Sequence, residues 1–149
     1  MIWILHAVSF IILTITAVQD IRNQNNVSSY LFPIIPLTMI LISIISKEQI
    51  NFINHILGFS LSLIFLIFAL FGKCGGADVI MAACLGIAYG FKDMSILVIA
   101  ACITYLIYLI IYNVSKKRVK KSNQTALPFL PAALCGFVIM VVCNYIFIK

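Results

Sequence analysis

A succession of apolar runs, each about as long as a membrane is thick, limits this chain most. Residues 2–19, 30–46, 55–72, 94–114 and 127–148 are nearly free of charge and are separated by short polar breaks. Eighteen residues, the length of the first run, make about 27 Å of helix at 1.5 Å per residue, close to the ~30 Å hydrocarbon core of a bilayer. A shorter stretch, 79–91, fits a further helix, followed by a tight turn at Lys92-Asp93. Composition agrees: 64% of the residues are hydrophobic and 9% are charged, against about 25% charged in a soluble domain. The pattern predicts an all-α membrane protein, a polytopic bundle of about six transmembrane helices forming one domain over residues 1–149, with no soluble domain of useful size. A cleaved signal peptide would need a positive start, and no Lys or Arg precedes Arg22, so the first run reads as a span. Pro33 and Pro36 fall in the first turns of the second span, where a missing N–H costs least.

Loop charge orients the bundle, because Lys and Arg favour the cytoplasmic side. With six spans, the first, third and fifth loops share a side and hold Arg22, Lys73, Lys116, Lys117, Arg118, Lys120 and Lys121. The other side holds Lys47, Lys92 and Lys149. The termini are expected outside. The net charge of +6 suggests contact with anionic lipid at Lys116, Lys117, Arg118, Lys120 and Lys121, beside a span, rather than with nucleic acid. The cysteines, Cys74, Cys84, Cys102, Cys135 and Cys143, are scattered and odd in number, which argues against a disulfide framework or a clustered metal site.

Of the four acids, Asp20 closes the first span and Asp78 opens the fourth, both at the cytoplasmic interface, whereas Glu48 and Asp93 fall outside. An acid within a membrane segment is expensive and is a functional candidate by default. Asp78 follows Gly75-Gly76-Ala77, a stretch where the backbone bends or comes close to a neighbour; as a simpler reading, an aspartate there caps a helix. Asp78, Ala82, Gly86 and Gly90 form a small-residue stripe of the kind that lets membrane helices approach, and Thr16 lies one turn before Asp20. If the two carboxylates meet, they cannot both ionise easily and would share a proton. Such a pair activates water: the ionised member takes its proton while the protonated member donates to the substrate carbonyl. No metal or cofactor is needed.

Gly75-Gly76-Ala77-Asp78-Val79, followed by Ala82-Ala83-Cys84-Leu85-Gly86, resembles the glycine-aspartate signature of the type IV prepilin peptidases, intramembrane aspartic proteases of the GxGD class. Asp20 matches the family's first aspartate, and Leu127-Pro128-Phe129-Leu130-Pro131 is similar to the Pro-Phe-x-Pro that opens its last span. The matches fall in family order along the whole chain. The resemblance implies Asp20 and Asp78 as catalytic residues, and Gly75, Gly76 and Ala77 as the loop beside them. It also implies a membrane-embedded prepilin-like substrate, and a bacterial or archaeal cytoplasmic membrane with the site facing the cytoplasm. The sequence departs from the family at Ala77, where glycine is usual, at Ile80, where lysine is common, and at Ser28-Ser29, which replace Pro-Asn. The cysteine-rich region of the larger members has no counterpart here, so N-methylation is not carried over. The alternatives are a small transporter or scaffold with structural interfacial acids, and a relative that has lost activity. His6 and His55 fall toward the outer face, and Tyr105, Tyr108 and Tyr112 read as a packing stripe.

Overall fold

A computed structural model describes residues 2–22, 27–47, 51–71, 75–116 and 129–147. Its elements are α1 (Ile2–Arg22), a 3-10 turn (Ser29–Leu31), α2 (Ile34–Ser46), α3 (Phe52–Ser60), α4 (Ser62–Leu70), α5 (Gly76–Lys116) and α6 (Leu130–Phe147). Among the described residues there is no strand. Four stretches are long and apolar enough to cross a membrane: Trp3–Arg22, Ser29–Ser46, Phe52–Leu70 and Gly76–Tyr112. Leu130–Ile146 is apolar but shorter. Glu48, Lys73, Cys74, Lys117, Arg118, Lys120, Lys121 and Pro128 lie outside the described residues, and Lys116 is the last residue of α5.

With α3 and α4 taken as one rod, the described residues form five helices, because the expected fourth and fifth spans belong to one element. Lys92 and Asp93, the expected turn, are helical. The break lies at Gly90, with φ 78° and ψ −178°, a region open in practice only to glycine. A straight α5 would be about 60 Å long, twice a bilayer's hydrocarbon thickness.

Contacts on either side of Gly90 show that α5 reverses there. Before it, Gly86 packs on Gly58 of α3 and Gly90 lies against Asn54, so residues 76–89 run antiparallel to α3. The ring of Phe65, further along that rod, packs on Phe129 at 5.7 Å between centroids. Residues 76–89 therefore start at the level of Phe129 and end at Phe137, whose ring meets Tyr89 at 5.7 Å. After Gly90 the order inverts. Gly136 abuts Leu97 and Ala101, the Thr104 hydroxyl donates to the Ala132 carbonyl at 3.2 Å, and Tyr105 packs on Phe129. The sequence allows such close approaches through its small residues. A Cβ on Gly136 would stand 2.7 Å from the Leu97 carbonyl oxygen. One on Gly58 or Gly86 would run into the facing backbone.

The core collects Leu13, Phe32, Ile35, Met81, Leu85, Met94, Phe137 and Met140. Large apolar side chains such as Ile44, Ile45, Ile53 and Leu70 point outward. In water such a surface would be a liability, and in lipid it is the expected exterior.

Candidate active site

The two aspartates are buried to the same degree, 8% exposed each, although the surface of the bundle is rich in exposed isoleucine and leucine. Asp20 lies in the last turn of α1. There it meets the start of α6: the Leu130 N–H donates to Asp20 Oδ2 at 3.2 Å. The first N–H groups of a helix have no partner within it and carry the positive end of its dipole. Asp20 thus caps α6 from another helix. Pro131 removes one of the remaining orphan donors of that turn, and the Phe129 carbonyl accepts from Ala132 and Ala133 at 2.9 and 3.1 Å. The Phe129-Leu130-Pro131 stretch is therefore brought directly onto Asp20.

Asp78 lies in the first turn of α5. Its carboxylate Oδ2 accepts from the Gly75 N–H at 3.1 Å, and its own N–H donates to the Gly75 carbonyl at the same distance. This is the backward reach of an acid at the third helical position. The expected cap is thereby relocated: Gly75 occupies the capping position and Asp78 sits three residues inside. A Cβ on Gly76 would meet nothing within 4 Å, and one on Gly75 would meet only Asp78 Oδ2, at 3.4 Å.

Tyr89 ties the two aspartate-bearing helices together. Its hydroxyl lies 2.9 Å from Ser9 Oγ, 3.3 Å from the Leu5 carbonyl and 3.2 Å from His6 Nδ1, with the His6 ring stacked on it at 5.5 Å. Asp20 is eleven residues after Ser9, and Asp78 is eleven residues before Tyr89. Eleven residues are about 16 Å of rise and about 20° beyond three full turns. Each aspartate therefore lies on the same helix face as its anchor. The two helices run in opposite senses, so both aspartates come to one end of the bundle at a similar depth. Between the anchors and the aspartates, Leu13 and Thr16 on α1 and Ala82 and Leu85 on α5 are all 0% exposed.

The other expected positions divide. The Thr16 hydroxyl is used within its own helix, on the Ile12 and Leu13 carbonyls at 2.9 and 3.2 Å, and its contribution to the site is packing. Ala82 is fully buried. Gly86 and Gly90 turn toward α3, because a spacing of four residues drifts about 40° around a helix at each step. The small-residue stripe thus serves the α3–α5 contact rather than the approach to Asp20. Ala77 is half-buried beside the core, and Ile80 is partly exposed, at 39%. Pro128 lies outside the described residues. The Tyr89–Ser9 tie was missed from sequence, although a tyrosine placed before a glycine in an apolar run was the available signal. Among the described residues no group of three or more His, Cys, Asp or Glu could hold a metal ion.

Fold and site together define an all-helical protein suited to a membrane, with two buried acids at one end of the bundle. The chain belongs to the type IV leader peptidase family, whose model matches residues 7–110, and is thus a protease of the leader peptidase kind. The matched segment contains both aspartates and the glycine loop and stops short of Phe129. Neither a curated protein nor a solved structure matches the chain.

Proposed function

We propose that the chain is an intramembrane aspartic endopeptidase that removes the short cytoplasmic leader from type IV pilin-like precursors, with Asp20 and Asp78 as its catalytic pair. In this reading the two carboxylates approach each other in the working enzyme and share one proton, because a close pair does not readily ionise twice. The ionised carboxylate takes a proton from water as the water oxygen attacks the peptide carbonyl carbon. The protonated carboxyl donates to the carbonyl oxygen. Collapse of the tetrahedral species breaks the C–N bond as the proton taken from water passes to the leaving amine, and one hydroxyl proton of the diol returns to the second carboxylate, leaving the carboxylic acid product and the pair in its starting state. No covalent intermediate forms.

The observation that carries this reading is the matched spacing of the two buried aspartates from the Tyr89–Ser9 contact. In this reading the segments 76–89 and 91–116 are two separate crossings, which would give six spans with the termini outside and the site at the cytoplasmic interface of a bacterial or archaeal membrane. That depth suits a substrate with a polar leader and an apolar helix in the bilayer. The basic run that includes Lys116, Lys117, Arg118, Lys120 and Lys121 lies on the same side and attracts anionic lipid. Co-expression with a pilin-like precursor tests the reading. Leader removal is expected from the parent chain and is expected to stop in Asp20→Asn and in Asp78→Asn, at similar protein levels. Normal cleavage by both variants would sink it.

A further inference from the structure

The reversal of α5 at Gly90 breaks the helical hydrogen bond that would join the Phe91 N–H to the Ile87 carbonyl. Both of its ends are taken up by neighbouring side chains of α3. The Phe91 N–H donates to Asn54 Oδ1 at 3.1 Å, and His55 Nδ1 donates to the Ile87 carbonyl at 2.7 Å. Adjacent residues thus supply partners for both ends of this bond. Asn54 is itself held in place: Asn51 caps α3 by accepting the Asn54 N–H on Oδ1 at 3.3 Å. Gly90 packs so closely on the Asn54 amide that a Cβ there has no space. A break one residue earlier or later would leave this pair without its two targets.

We infer that Asn54 and His55 are positioning residues for the proposed proteolysis: they fix the residue at which α5 turns back, and through it the depth and facing of Asp78. The inference rests on the peptidase reading above. A slip of the reversal by one residue moves Asp78 by about 1.5 Å along the helix axis and about 100° around it. That turns the carboxyl away from the face that Tyr89 shares with α1. A misplacement of this size costs on the order of 100-fold in rate when reacting groups must be held in contact.

Two readouts on the detergent-solubilised full chain test it: backbone amide exchange across residues 87–93, and leader cleavage resolved into kcat and KM. Asn54→Leu and His55→Leu are expected to speed exchange in this segment by about tenfold or more and to lower kcat by about 100-fold with KM within about twofold. Asn54→Asp keeps the Oδ acceptor and is expected to stay near the parent in both readouts. Unchanged exchange in the leucine variants would overturn the inference. So would fast exchange with parental kcat, or an Asn54→Asp variant as impaired as Asn54→Leu. A parent chain that cleaves no precursor counts against the peptidase reading instead, and exchange at 87–93 then still decides whether the pair holds the reversal.

Discussion

The Tyr89 hydroxyl meets Ser9 Oγ at 2.9 Å, and each of these residues stands eleven positions from one of the two buried aspartates. One hydrogen bond far from the acids thereby reports on their alignment. Tyr89→Phe keeps the ring packing on His6 and Phe137 and removes the hydroxyl contacts to Ser9, Leu5 and His6 Nδ1. The expected loss is about 0.5–1 kcal/mol, typical of hydrogen bonds between membrane helices, read from thermal unfolding in detergent. A larger loss is expected for Tyr89→Ala, on the order of 3–5 kcal/mol, because a cavity opens as well.

Asp20 has a structural duty that can be separated from chemistry. Asn keeps an oxygen for the Leu130 N–H, so Asp20→Asn is expected to retain the fold while losing proteolysis. Asp20→Leu leaves that buried N–H without its acceptor and is expected to cost about 1–3 kcal/mol in addition. Comparing the unfolding temperatures of the two variants checks this. Equal stability would mean that the Leu130 contact contributes little.

The glycines make unequal demands. Gly58→Ala and Gly86→Ala place a methyl into the facing helix backbone and are each expected to destabilise by about 1–3 kcal/mol. Gly76→Ala meets open space and is expected to change stability by no more than about 0.5 kcal/mol. Thermal unfolding of the three variants side by side gives the answer.

The helix reversal has its own signature. Gly90→Ala puts a side chain at φ 78° and against the Asn54 amide. Strain of this kind costs on the order of 1–3 kcal/mol, and its effect is expected first at the turn. Amide exchange should rise around residues 87–93 while Leu13 and Leu85 stay protected.

Much of this was legible in the sequence because lipid imposes simple terms. Apolar runs of bilayer length gave the helices, and acids at the polar ends of such runs were conspicuous. What hid was long-range. The position of the turn depends on Asn54, 36 residues before Gly90, so local composition pointed to the polar Lys92-Asp93 instead. The capping position moved from Asp78 to Gly75 because an acid at the third helical position reaches back. The small-residue stripe was visible, but its drift around the helix directs its glycines to α3. Asp20's partner was a backbone N–H of α6, which no side-chain pattern announces.

The most direct test of the central claim is a thiol cross-link in native membranes. Asp20→Cys and Asp78→Cys are combined in one chain and treated with a short bifunctional thiol reagent, and the linked peptides are identified by mass spectrometry. A facing pair at one depth predicts rapid formation of the 20–78 link, and slow linkage when Asp20→Cys is combined instead with Val79→Cys, about 100° around the helix. Absence of the 20–78 link, or equal rates for the two combinations, would contradict a paired site.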